Sequence, residues 1–206
     1  MKKVITLALL FIGTMAAAQD KYNAGMQKAF QLWGEGEIAE ASNMFERISA
    51  VELDNWLPAY YASQVNTVAS FGERDKEKLS QQLGKAQEYV DLAKAISPNN
   101  PEILIQQALI HTAWVAYDGA TYGMTLSGKV AALYQKALQL APNNPRVVFS
   151  KAEWDMGSAR FFGQDIAPYC KDVEHALELF ANFKPESEFH PNWGKDRAEE
   201  VVENCK

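Results

Sequence analysis

Pro98-Asn99-Asn100-Pro101 recurs as Pro142-Asn143-Asn144-Pro145, 44 residues further on (142 − 98). The segments before the two turns match as well. Ala86, Val90, Ala93 and Pro98 are spaced by four, three and five residues, and Val130, Tyr134, Ala137 and Pro142 repeat that spacing. Ala41, Phe45, Ile48 and Leu53 show it a third time, followed by Asp54-Asn55. Steps of four and three keep side chains on one helix face. A small residue on that face lets a neighbouring helix approach, and the large one a turn later fills the space beside it. The Pro ends the helix because its ring cannot continue it, and Asn tolerates the turn that follows. Pro101 and Pro145 then stand at a first helical position, where the missing N–H costs nothing. Repetition at this period predicts an all-α array of stacked helix hairpins.

These residues resemble the second helix of the tetratricopeptide repeat, with its small–x3–aromatic–x2–Ala–x4–Pro pattern. The first helices fit more loosely, through Ala29, Leu32 and Gly36, then Leu104, Ala108 and His111, then Val148 and Ala152. The resemblance covers about residues 20–184. It implies a tetratricopeptide-like α-solenoid of about four hairpins, near 20–53, 54–98, 99–142 and 143–184, with a C-terminal capping segment, 185–206. The family's unit is about 34 residues, so each unit here carries about ten more. The extra residues fall between the two helices of a hairpin, around Phe71-Gly72-Glu73-Arg74-Asp75 and Asp118-Gly119-Ala120-Thr121-Tyr122-Gly123. A third hairpin turns between Gly157 and Asp165. A period in the forties also fits HEAT-type helix pairs. Helices are expected near 20–34, 38–51, 56–71, 75–96, 101–117, 127–140, 145–158, 166–183 and 194–204, with Pro185 and Pro191 keeping the stretch between the last two extended.

The N-terminus reads as a secretory signal peptide. Lys2 and Lys3 precede an apolar run from Val4 to Met15, and Ala16-Ala17-Ala18 supplies the small side chains a signal peptidase requires. Cleavage is expected after Ala18, with Gln19 the next choice. The run is shorter than the roughly 20 apolar residues a membrane span needs. An exported protein follows, periplasmic first and secreted second, with no stable membrane insertion after cleavage. With its signal peptide and its closing His190-Pro191-Asn192-Trp193-Gly194 segment, the chain resembles exported tetratricopeptide proteins of Gram-negative bacteria.

Lys and Arg number 20 against 26 Asp and Glu in the 206 residues. Removal of residues 1–18 takes away two lysines and no acid, leaving 18 − 26 = −8. No basic stripe is present, so nucleic acid is not expected as a partner. Export places Cys170 and Cys205 in an oxidising compartment, where a pair is more often bridged than free. The bridge would close a loop of about 36 residues, worth about 4 kcal/mol by chain entropy.

No catalytic constellation emerges. His111 stands where the family packs an aromatic, and it reads as a packed imidazole. His175 and Cys170 are five apart without the tight second pair that zinc requires. Gly84-Lys85-Ala86 and Gly128-Lys129-Val130 lack the rest of a phosphate-binding loop. The expectation is therefore a protein that is not an enzyme, with no cofactor and no metal. Tyr122-Gly123-Met124 and Phe161-Phe162-Gly163 are turns whose aromatics either touch a ligand or cover the core edge.

Stacked hairpins line a concave face with their first helices. Alignment of the later repeats puts Tyr60, Ile105 and Phe149 at one equivalent position, and Gln64, Leu109 and Glu153 one turn on. If the resemblance carries over, these six form a groove for a peptide or protein partner. Otherwise they pack against a neighbouring repeat or against the chain's own C-terminal tail. The leading functional expectation is an adaptor or scaffold; the alternatives are a small-ligand carrier and a self-associating envelope module. Phe183, Phe189 and Trp193 are too apolar for a free tail and are expected to fold over the last hairpin, pinned by Cys170–Cys205.

Overall fold

The computed structural model describes residues 19–205, all in helices and short connections with no strand among them. The expected signal peptide lies outside these residues. The helices are α1 (19–34), α2 (Ile38–Ser49), α3 (Trp56–Ser70), α4 (Lys76–Ile96), α5 (Pro101–Tyr117), α6 (Gly119–Leu140), α7 (Pro145–Phe161), α8 (Ala167–Asn182) and α9 (Lys195–Glu203).

Three equivalent asparagines start the first helices. Asn55 Oδ1 accepts from the Leu57 amide at 3.1 Å, Asn100 from Glu102 at 2.9 Å, and Asn144 from Arg146 at 2.9 Å. Each satisfies an amide that the helix itself leaves unpaired, worth about 1 kcal/mol. Pro101 and Pro145 occupy the first turns, as their fixed φ favours. Asn99 adopts φ 61°, a left-handed turn conformation that Asn tolerates.

Helix pairs α3/α4, α5/α6 and α7/α8 form hairpins, and α3, α5 and α7 touch side by side. Ala41, Phe45 and Ile48, with their counterparts Ala86, Val90, Ala93, Val130, Tyr134 and Ala137, are all buried, as the four-and-three spacing requires. Leu53, the counterpart of the two prolines, is instead exposed in the turn before α3. Polar bridges link the layers: Asn66 Nδ2 donates to Ser42 Oγ at 2.7 Å, and Gln106 Nε2 to Thr67 Oγ1 at 2.8 Å.

Two boundaries differ from expectation. The glycine-bearing stretch 119–126 is helical, so α6 starts eight residues early (127 − 119). Asp118 makes this possible, because its carboxylate accepts from the Thr121 amide at 3.0 Å and caps the helix. Helix α7 likewise runs on to Phe161.

The C-terminal segment is a strap, not a local cap. Residues 183–194 leave α8 and cross the faces of α7, α5 and α3 to reach α1. Phe189 is buried in the core cluster of the first hairpins, edge-on to Tyr22 at 5.6 Å and stacked on Phe30 at 6.0 Å. Tyr61 donates its hydroxyl to the Phe189 carbonyl at 2.8 Å, and Gln27 Nε2 donates to Glu188 at 3.0 Å. Covering the last hairpin falls to α9, whose Ala198 and Val201 pack on α7 and α8. A disulfide joins Cys170 of α8 to Cys205 with their Cα atoms 6.0 Å apart.

Beneath the strap lies a buried ion pair. Arg146 Nε and Nη2 donate to the two Glu102 carboxylate oxygens at 2.8 and 2.6 Å. Asn144 Nδ2 donates to the same carboxylate at 2.6 Å, and the guanidinium lies 4.4 Å from the centre of the Phe183 ring. Glu102 and Arg146 each follow the turn proline of their repeat.

Two stability outcomes follow. Arg146→Met alone leaves Glu102 charged and buried and should cost about 3–5 kcal/mol, whereas Glu102→Leu with Arg146→Met should restore most of that. Urea denaturation of both variants checks this; equal losses would contradict it. Cys170→Ser with Cys205→Ser should lose up to about 4 kcal/mol, read as a lower melting temperature that reductant reproduces in the unsubstituted chain.

Candidate functional site

Tyr60, Gln64, Ile105, Leu109, Phe149 and Glu153 lie along the chain's own strap or its continuation into α9. Tyr60, Ile105 and Phe149 are buried. Trp193 Nε1 donates to the Tyr60 hydroxyl at 2.8 Å, and the Trp193 ring packs in one cluster with Ile105 and Leu109. Gly194 crosses Phe149 so closely that a Cβ there would stand 3.2 Å from Phe180 and 3.6 Å from Phe149. Its φ of 103° also favours glycine. Glu153 accepts from Arg197 Nε at 2.8 Å. An extended peptide therefore finds this face covered, because burying Phe189 and Trp193 on it removes apolar surface from water. Gln64 differs from the other five in lining a cavity.

That cavity measures about 310 Å³ and lies between the strap, α1 and α3. Phe30 and Trp33 of α1, Tyr61 and Gln64 of α3, and Phe189 and Trp193 of the strap form its walls. Gln64 is 4% exposed, and its Oε1 is buried without a hydrogen-bond partner.

A second cleft, about 480 Å³, opens at the hairpin tips. The α3–α4 tip contributes Ser70 to Arg74, and the end of α5 contributes Ala113, Ala116, Tyr117 and Asp118. Its apolar surface comes from Phe71, Tyr117 and the two alanines. Both rim acids are engaged locally: Glu73 Oε1 accepts from the Arg74 and Asp75 amides at 2.8 Å, and Asp118 caps α6. Hydrogen bonds from Thr121 hold the Asp118 carboxyl below its usual range. Arg74 makes no ion pair among the described residues. Along the same series of tips Met124 is 97% exposed, Phe161 76% and Phe162 70%. The Tyr122 and Phe161-Phe162 turns thus present apolar groups to solvent. Tyr122 itself packs on Trp114 at 4.9 Å.

Titration in the strap is governed by burial. His190 stands 4.0 Å from Glu102 of α5 and 3.8 Å from Glu186, edge-on to Trp56 of α3 and near Arg146 of α7. Desolvation lowers its pKa, Arg146 lowers it further, and the two carboxylates oppose the shift. Burial also raises the Tyr60 and Tyr61 hydroxyls above their usual range. His111 is lowered by burial and by Lys129. Cys170 is bridged and His175 pairs with Glu178 at 3.6 Å, so the two do not converge on a metal. No group of three or more His, Cys, Asp and Glu suited to a metal occurs among the described residues. None of the described helices is long and apolar enough to cross a membrane.

Sequence reasoning did not single out Glu102, Arg146 or Arg74. Opposite charges at the same register after two turn prolines were the available signal for the first two.

No family model and no curated protein matches the chain. Among solved structures, it is similar to the HusA haemophore from Porphyromonas gingivalis, with a TM-score of 0.78 and 22% identity. The match covers 89% of this chain and 92% of that one, so the two share a fold.

The pH dependence of stability follows from His190. Its folded pKa is depressed, so the unfolded chain takes up the proton first as pH falls. Stability is complete above the unfolded value of about 6.5 and declines below it, until the folded form is protonated too. Melting temperature should fall between about pH 7 and 5, and His190→Gln should reduce that fall; an unchanged pH profile in the variant would refute the assignment.

Proposed function

We propose that the chain is an exported carrier of a flat, largely apolar small ligand of the haem class, seated in the hairpin-tip cleft. The observation that carries this is the cleft itself. Phe71 and Tyr117 offer ring faces, Ala113 and Ala116 leave room for a flat body, and Arg74 stands at the rim for a carboxylate edge. Its volume falls in the range of small-molecule sites. Arg suits a carboxylate because its planar fork donates two parallel hydrogen bonds. Likeness in fold to a haemophore supports this ligand class. The covered face argues against the peptide adaptor expected first, and it favours the small-ligand alternative.

We further infer that the hairpins stack as tetratricopeptide-like repeats. The equivalent caps of Asn55, Asn100 and Asn144 and the side-by-side contacts of α3, α5 and α7 support that reading. The reading involves binding and release, with no chemical step.

The test is titration of residues 19–206 with haem, followed by the Soret band. Saturable one-to-one binding is expected. Phe71→Ala and Arg74→Ala should each weaken it about tenfold, the equivalent of 1.4 kcal/mol. Absence of saturable binding would refute the carrier reading, and unchanged affinity in both variants would refute the seat.

A further inference from the structure

The cavity under the strap differs from the tip cleft in chemistry. Five aromatic rings, those of Phe30, Trp33, Tyr61, Phe189 and Trp193, line it, and no Lys or Arg does. Its one acid, Glu188, accepts from Gln27. His190 and the exposed Asn192 complete the lining; burial lowers the His190 pKa, so an anion entering here meets no permanent cation and the walls favour an uncharged, flat body.

The polar atoms of the walls are mostly engaged. The Tyr61 hydroxyl donates to the Phe189 carbonyl, and Trp193 Nε1 donates to Tyr60. Gln64 Oε1 is the exception, buried and without a partner. Buried carbonyls of this kind are nearly always paired in folded proteins, because an unpaired one has lost its hydrogen bond to water. Gln64 Oε1 has almost no accessible surface as it stands, and a half-turn of the side-chain amide would present it to the cavity, where a ligand's N–H or O–H would complete it.

We propose that this cavity is a second binding site, separate from the tip cleft, for a small neutral aromatic molecule carrying a ring N–H or O–H, the indole or phenol class. Gln64 is its specificity-determining residue, accepting the ligand's hydrogen bond while the rings hold its faces. The strap supplies Phe189 and Trp193, so the site exists only while the strap is docked.

The experiment uses indole and its isostere benzothiophene, which lacks the N–H, titrated calorimetrically into residues 19–206. Indole should bind about tenfold more tightly, the weight of one hydrogen bond to an otherwise unpaired acceptor. Gln64→Leu should abolish that preference, raise the melting temperature of the unliganded protein and leave haem affinity unchanged. Saturation with haem should not displace indole. Equal affinities in the unsubstituted protein, no indole binding, or displacement by haem would each overturn the proposal. The comparison of the two probes needs no variant, so it stands even if Gln64→Leu folds poorly. Loss of haem binding alone would refute the carrier reading and leave this site intact.

Discussion

The contact between Glu102 and Arg146 sets the terms for the rest of the molecule. Two charges have left water, and their attraction compensates only while the carboxylate and guanidinium keep their two-point pairing. Asn144 donates a third bond to Glu102, and the Phe183 ring covers the guanidinium, whose Nη1 has no acceptor. That ring belongs to the strap. An open strap would expose one side of the pair to water and weaken it, so docking of the strap and pairing of α5 with α7 reinforce each other. The disulfide secures the far end of this arrangement, holding α9 to α8 so that residues 183–194 form a loop fixed at both ends.

Much of this was legible in the residues. The four-and-three spacing fixed which helix face is buried, from Ala41 to Ala137, because local periodicity and burial are the same constraint. The turn motif marked the asparagines as turn residues but not as helix caps, and the bridge between Cys170 and Cys205 followed from the compartment that residues 1–18 suggest. The course of the strap was not legible. Phe183, Phe189 and Trp193 announce that the tail must be buried, but apolarity carries no address. Phe189 and Trp193 settle against Phe30, Tyr61 and Tyr60, which come together only once α1 and α3 have packed, and Phe183 settles on Arg146 of α7. The start of α6 was misplaced for a related reason. Glycine lowers helix propensity, yet a capping Asp118 and the packing of Tyr122 on Trp114 outweigh about 1 kcal/mol per glycine.

The groove positions show the same division. Tyr60, Ile105 and Phe149, aligned by repeat register, each lie against the strap. Whether the face is open is a question about sequence-distant residues, and the chain answers it with its own Trp193 and Gly194. A glycine at 194 carries information here only in hindsight. A Cβ there would press on the Phe180 ring at 3.2 Å while only touching Phe149 at 3.6 Å, and the backbone turns through positive φ in the same place.

The two spaces differ in the elements that line them. The tip cleft is built from the α3–α4 turn and the end of α5 and bears a charged rim with Arg74. The strap adds a segment across the first helices, so its cavity is roofed by the chain and lined by rings without a cation. A site at an exposed tip can admit a large ligand that keeps a charged edge in water. Beneath the strap, every polar atom left unmatched has a cost in stability, and only Gln64 Oε1 among the wall atoms discussed is left so. The charge of the lining residues thus distinguishes the two spaces. The same strap that walls one of these spaces keeps the groove face unavailable to a peptide.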